Sequence, residues 1–291
     1  NSHVVIQSSS DVKKTEYHPV KWNRNYFPLP KQDKEQHQDN VGILAFECQY
    51  PGSVSSMHDL EVFDGCVGKY TEGIGQLEVG FCGDNEDAVS LSLSALTRLI
   101  KTTGIKYTDI GRLEVGTESQ TDKSKSIKTN LMSLFEESGN HDVEGTDTYN
   151  ACYGGTNAVL NSVNWVQSKS WNGKYAVVVT CDIAVLPDRY RFGSGGACVA
   201  MLIGPNAPIS FSKRARTSYM ANTWDFYKPV GWSALEPVSD MRESTNAYMT
   251  ALRGCLSSFS VPTTELIDKY DYFVFHTTSN YLGKMAFETV L

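Results

Sequence analysis

The segment Tyr175-Ala176-Val177-Val178-Val179 is a continuous apolar run with no polar residue at either alternating set of positions. A strand of this kind is buried on both faces, so its sheet needs a helical layer above and another below. The rest of the chain supplies both. Apolar runs at 41–46, 112–117, 198–203 and 272–275 predict further strands. Residues 85–101 place Val89, Leu91, Leu93, Leu96, Leu99 and Ile100 on the apolar face of a predicted helix. Two more predicted helices cover 125–138, closed by Gly139, and 154–167. Strands that alternate with helices in this way predict an α/β fold. Residues 1–40 are polar and weakly periodic and read as a mobile extension. Residues 207–239, with several Pro, Trp and Tyr, read as an ordered, loop-rich segment.

The chain has 291 residues, 41% of them hydrophobic, enough for one large domain or two smaller ones. Its 26 basic residues against 33 acidic ones give a net charge of −7, with no dense basic block. Nucleic acid and anionic membrane surfaces are therefore not expected partners. The longest apolar stretch, 175–186, is short and contains Asp182, so it does not span a bilayer. Seven cysteines form no C-x-x-C pair and mostly lie in apolar runs, which suits free thiols in a reducing compartment. The histidines show no metal-ligand spacing, so no metal is expected. The first residue is not Met, and the last lies in an apolar, helix-like run; both ends read as cut.

Three features carry chemistry. In Asn150-Ala151-Cys152-Tyr153-Gly154-Gly155-Thr156 a cysteine stands at the start of a helix. The partial positive charge and free N–H groups there favour a thiolate and could stabilise an oxyanion on a thioester carbonyl. A buried cysteine ahead of a packed helix fits the same residues. In Gly111-Arg112-Leu113-Glu114-Val115-Gly116-Thr117-Glu118 an acid follows the end of a strand, where burial would raise its pKa and suit it to general acid–base work. Glu114 is the rival, but it lies mid-strand; a surface acid is the plain alternative for Glu118. His276 leaves the aromatic strand 272–275 and could polarise a carbonyl, or serve structure only. Together Cys152, Glu118 and His276 point to acyl transfer without naming it. The glycine-rich turn at 193–196 is neither a dinucleotide fingerprint nor a P-loop.

Longer runs are more specific. The segments at 111–118, 122–126, 134–140 and 150–156 resemble eukaryotic-type 3-hydroxy-3-methylglutaryl-CoA (HMG-CoA) synthases. So do Asp182-Ile183-Ala184-Val185, the run 201–208 and Asp225-Phe226-Tyr227-Lys228-Pro229, in order over residues 41–291. The resemblance implies a thiolase-like, layered α/β/α/β/α fold, with a complete N-terminal half over 41–210 and the start of the C-terminal half over 211–291. It implies that Cys152 takes the acetyl group of acetyl-CoA, that Glu118 is the general base, and that His276 positions acetoacetyl-CoA. Asp182 and Asp225 match supporting acids. Lys69, Ser194, Ser244 and Lys284 fall at or near positions that contact the CoA substrate. The resemblance further implies a homodimer, no metal or redox cofactor, and a place in the mevalonate pathway. Cytosol is the expected compartment, with a mitochondrial form left open.

The sequence also departs from that family. Tyr281 stands where a CoA-contacting lysine is usual, the loop 189–194 differs from the family's acyl-pocket loop, and 256–272 is short. The second-half residues that help hold the acetoacetyl group are absent, and half a thiolase fold would expose a large apolar face. A truncated or degenerate non-catalytic paralogue is therefore the second reading. Another thiolase-superfamily acyltransferase is the third; the Glu118 motif argues against it.

Overall fold

A computed structural model of the protein describes residues 2–7, 40–212, 215–229, 236–259 and 261–291. In chain order its strands are β1 (Ser2–Gln7), β2 (Gly42–Gln49), β3 (Ser53–Ser56), β4 (Glu78–Phe81), β5 (Ile110–Gly116), β6 (Asp147–Thr148), β7 (Tyr175–Ala184), β8 (Gly195–Gly204), β9 (Ile209–Ser210) and β10 (Tyr272–Thr277). Its α-helices are α1 (Met57–Asp64), α2 (Ala88–Thr103), α3 (Ile127–Leu131), α4 (Tyr153–Val166), α5 (Met241–Ser257), α6 (Thr263–Lys269) and α7 (Asn280–Val290).

The apolar run that starts β7 sits at the centre of a six-stranded sheet ordered β6-β5-β7-β8-β2-β9. Its side chains alternate between two cores, as the two-residue period of a strand requires. Val177 and Val179 pack with Leu113 and Val115 of β5 and with Leu91, Leu96 and Leu99 of α2. Ala176 and Val178 pack on the other face with Ala158, Val159 and Val163 of α4. The sheet is mixed: β5 runs parallel to β6 and β7, whereas β7-β8 and β8-β2 are antiparallel. The parallel strands place the C-terminal ends of β5, β6 and β7 along one edge of the sheet.

Local chemistry sets the helix limits. Asp87 caps α2 by accepting from the Ser90 N–H while Ser90 Oγ accepts from the Asp87 N–H, and Gly104, at φ 69°, ends it. The segment predicted as one helix over 125–138 is α-helical only to Leu131. From Met132 to Ser138 it tightens into a 3-10 turn that ends at Gly139. Asp147 accepts from the N–H groups of Ile127 and Lys128 at 2.6 and 2.9 Å, which ties the start of α3 to β6.

A smaller core joins α6, β10 and α7 through Leu266, Phe275, Ala286 and Val290. Outside the main sheet, β10 pairs antiparallel with β1. The expected mobile extension over 1–40 thus contains a strand at 2–7; residues 8–39 lie outside the described residues, as do 213–214 and 230–235 of the loop-rich segment. Where that segment is described, a bridge joins Tyr227 to Val238. No helix among the described residues is long and apolar enough to cross a membrane.

Candidate active site

Helix α4 starts on bare backbone. A Cβ on Gly116, the last residue of β5, would lie 2.4 Å from Gly155 Cα. One on Gly154 would lie 2.7 Å from the Thr148 carbonyl oxygen, and one on Gly155 would lie 2.8 Å from Thr180 Cγ2. The three glycines let the first turn of α4 rest directly on the ends of β5 and β6 and on the middle of β7. Thr148 Oγ1 adds a hydrogen bond of 2.9 Å to the Gly154 carbonyl. Cys152 is the residue immediately before α4, and Ala151 ahead of it takes φ 44°, a left-handed turn that lifts the chain out of β6.

The thiol does not have the low pKa that a helix start alone would give. Burial, followed by the charges of Glu118 and Asp182, pushes it up to about 12, while the N–H of Cys152 itself pulls it down. The N–H groups of Tyr153 and Gly154 are already committed to the carbonyls of Asn150 and Ala151, at 3.0 and 3.2 Å. The expectation of a thiolate held by free helix N–H groups is corrected accordingly: burial and the two neighbouring carboxylates favour the thiol.

Glu118 lies two residues past β5, with its backbone pinned. Its N–H donates to Asp182 Oδ1 at 2.7 Å, and the hydroxyls of Thr117 and Ser119 reach the same oxygen at 3.1 and 3.2 Å. Ser119 Oγ also accepts from the Ile183 N–H at 2.9 Å, so the β5 exit is bolted to β7. Burial and then the charge of Asp182 raise the Glu118 pKa to about 7, and Lys228 opposes them. Asp182 is itself raised by burial, against hydrogen bonds from Glu118, Thr117 and Ser119 and the charge of Lys228. Glu114, the sequence-level rival, is buried mid-strand and paired with Arg112. Burial raises its pKa against that pairing.

The other expected residues fall into two groups. Asp225 and Ser244 meet: Ser244 Oγ donates to Asp225 Oδ1 at 2.7 Å, and Ser239 Oγ approaches the same oxygen at 3.3 Å. This anchors the 225–229 segment, whose half-buried Lys228 acts on both Glu118 and Asp182. Lys69, Ser194 and Lys284 lie on three elements that meet at the turn from Lys69 to Ile74, where Phe192 stacks on Tyr70 and Asn280 reaches Gly75. Lys69 begins it, exposed, with its Nζ 5.9 Å from the centre of the Tyr70 ring. Ser194 closes the loop between β7 and β8 by accepting from the Leu186 N–H at 2.9 Å. Lys284 is exposed on α7, whose first residue, Asn280, donates its side-chain amide to the Gly75 carbonyl. His276 is exposed on β10, in the separate two-stranded pairing with β1.

Sequence reasoning gave Lys228 no role, although it lies within a run quoted for the resemblance. Only the approach of that run to the β5 exit reveals its effect. Among the described residues, no group of three or more His, Cys, Asp or Glu side chains could hold a metal ion.

A layered α/β fold with a cysteine at a helix start, facing an acid at the exit of the neighbouring strand, defines a thiolase-fold protein. The chain belongs to the hydroxymethylglutaryl-coenzyme A synthase family: the family's N-terminal model matches residues 37–208 and its C-terminal model residues 209–291. It is 50% identical over 233 residues to cytoplasmic hydroxymethylglutaryl-CoA synthase of Rattus norvegicus, covering 79% of this chain and 45% of the relative. It is 43% identical over 263 residues to the mitochondrial hydroxymethylglutaryl-CoA synthase of Homo sapiens, covering 86% and 51%. A solved structure of MvaS in complex with 3-hydroxy-3-methylglutaryl coenzyme A superposes with a TM-score of 0.70 at 32% identity, covering 74% of this chain and 51% of that one. The chain thus spans about half the length of the relatives it matches.

Proposed function

We propose that this protein condenses acetyl-CoA with acetoacetyl-CoA and water to give HMG-CoA and CoA, through an acetyl-Cys152 intermediate. The observation that carries the reading is a half-buried thiol acted on by a carboxyl whose pKa, about 7, suits proton transfer at neutral pH. Cys152 sulfur attacks the acetyl thioester carbonyl as it loses its proton, and CoA leaves as the thiol. Glu118 then takes a proton from the methyl of the acetyl-cysteine. The carbon so freed attacks the ketone of acetoacetyl-CoA, and the resulting alkoxide is protonated by Glu118. Water cleaves the bond to Cys152 and releases HMG-CoA and the free thiol. Asp182 holds the Glu118 backbone and raises its basicity; Lys228 limits that rise.

Lys69, Ser194 and Lys284 are assigned to the CoA mouth by resemblance; their three elements meet at one turn. Ser244 belongs with Asp225 in bracing the 225–229 segment. His276 is assigned to acetoacetyl-CoA by resemblance. No cofactor is part of this reaction. Exposed Tyr149 and Tyr153, beside the nucleophile, support a homodimer with its interface there. A cytoplasmic site follows the higher identity to relatives named cytoplasmic than to those named mitochondrial. The domain division is proposed at 210/211, beside the boundary between the two family models.

Incubation with acetyl-CoA, read by intact mass, tests the proposal. An adduct of about 42 mass units that is lost in Cys152→Ala supports it. A folded chain that takes no adduct favours the second reading, a non-catalytic relative. That reading is motivated by the share of the relatives' length that the chain spans and by the divergent segment Thr277–Lys284 after His276.

A further inference from the structure

Two loops flank the expected acyl site, and one carboxylate ties them together. The first is the turn from Lys69 to Ile74. The second is the 3-10 turn Asp188–Gly193, which lies between β7 and β8 at the same end of the sheet as Glu118 and Cys152. The first turn is built on Glu61 of α1, which is fully buried. The Glu61 carboxylate accepts from the N–H groups of Tyr70 and Thr71 and from the Thr71 hydroxyl. Burial alone would raise its pKa; these bonds, with one from Gly68, outweigh burial and hold it near the foot of the carboxylate range, at about 2.

Asp64, at the end of the same helix, faces both loops. Its Oδ2 accepts from the Tyr70 hydroxyl at 2.9 Å, and its Oδ1 lies 2.8 Å from Arg191 Nη2. Neighbouring rings close the contact: Phe192 stacks on Tyr70 with centroids 4.8 Å apart, and the Arg191 guanidinium lies 5.1 Å from the centre of the Phe63 ring. The 188–193 turn is held at its base by the bond from the Leu186 N–H to Ser194 Oγ. Asp182 and Ile183, which hold Glu118 and Ser119, lie only a few residues before that base. A hard-wired turn, a shared carboxylate and a short path to Asp182 therefore lie in sequence.

We infer that Asp64 is a latch that makes the Lys69–Ile74 turn and the Asp188–Gly193 turn one unit, with Arg191 as a positioning residue that fixes the width of the acyl-donor mouth. The donor role rests on the function proposed above. Neither Asp64 nor Arg191 touches the reacting atoms. They act through Tyr70 and through the 186–194 loop. A charge-assisted contact of this sort, half shielded from water, holds two loops more firmly than either holds itself.

The test uses the full chain with Asp64→Asn, Arg191→Ala and Arg191→Lys, each first checked for an unchanged thermal midpoint. Amide hydrogen exchange is followed in both turns. A latch predicts that Asp64→Asn and Arg191→Ala each speed exchange in both turns, by roughly 10-fold, and that Arg191→Lys restores most of the protection. It also predicts that KM for acetyl-CoA in Cys152 acetylation rises by about 10-fold in Arg191→Ala, while the rate at saturation and its pH midpoint stay as in the parent. Faster exchange confined to the turn that carries the substitution overturns the inference, as does unchanged KM with both turns loosened. Exchange is read without turnover. A parent chain that fails to acetylate therefore sinks the proposed function and leaves the exchange result to decide the latch.

Discussion

The main-chain N–H of Glu118 donates to Asp182 Oδ1 at 2.7 Å, so a residue that raises the pKa of this carboxyl also holds its backbone in place. A carboxyl proposed as the general base, whose orientation and pKa share one partner, responds to changes at that partner in two separable ways. Asp182→Asn keeps an acceptor oxygen for the hydrogen bonds but removes the charge. The Glu118 pKa, about 7 in the parent, then falls. As Glu118 works as the carboxylate, the acidic limb of the condensation rate moves to lower pH. Lys228→Met removes the opposing charge and moves the same limb to higher pH. A pH–rate profile of both variants decides; limbs that move together would sink this account of the site.

Cys152 should alkylate slowly. With its pKa near 12, the thiolate fraction at pH 8 is smaller than that of an unperturbed cysteine by roughly three orders of magnitude. Iodoacetamide labelling followed by peptide mass analysis measures the rate. Glu118→Gln removes the larger of the two neighbouring charges and should speed the labelling. A parent rate equal to that of free cysteine would show that the thiol is not held as described.

Glu118→Gln also separates chemistry from stability. The substitution should leave acetyl-Cys152 able to form and reduce condensation by about 10²-fold or more. The folded pKa of about 7 lies above the unfolded value near 4.5. The stability linked to this group is therefore fully present below about pH 4.5 and is lost as pH rises through 7. At pH 8 the ionised parent is destabilised by up to about 3 kcal/mol, and the variant escapes that loss. Denaturant unfolding at pH 5 and pH 8 should show the variant more stable than the parent at pH 8 only.

Gly116→Ala tests the seat of α4. The added Cβ would lie 2.4 Å from Gly155 Cα, where no side-chain rotation gives relief. Displacing the helix should cost about 1–3 kcal/mol, seen as a lower thermal midpoint, and should abolish the acetyl adduct even in the molecules that remain folded. An unchanged midpoint with full acetylation would mean that the helix start is not seated on the strand.

The parts of this fold legible in the sequence are those whose burial is uniform. Strand β7 announces itself by five apolar residues in a row, and α2 by its apolar stripe with Gly104 at its end. The antiparallel pairing of β7, β8 and β2 is not visible there. A strand covered on both faces carries the same apolar run whichever way its neighbour points. Helix α5 went unread although Tyr248, Leu252 and Leu256 form a stripe along it, because these residues are only partly buried against the smaller core and Met249 alone is buried. The turn on Glu61 was equally silent: its stability comes from a carboxylate eight or more residues away, not from local propensity. At the site, Cys152 and Glu118 could be singled out by their positions beside a helix start and a strand end. Asp182 and Asp225 entered only through the resemblance, and Lys228 entered only when the fold brought its segment to the β5 exit.

The contact between Gly116 and Gly155 has a bearing on how this protein can change over time. The sulfur of Cys152 is located by main chain against main chain, like a part resting on a machined stop. Between Gly116 and Gly155 only main-chain atoms approach, and the nearest side chain on Gly155 is the small Thr180, so ordinary drift in the surrounding packing has little there to alter. The loops around the mouth, including 188–193 with its own latch, are then free to be rewritten while the reacting atom keeps its place. Divergence in this molecule is channelled toward what it admits to the nucleophile and away from where the nucleophile stands.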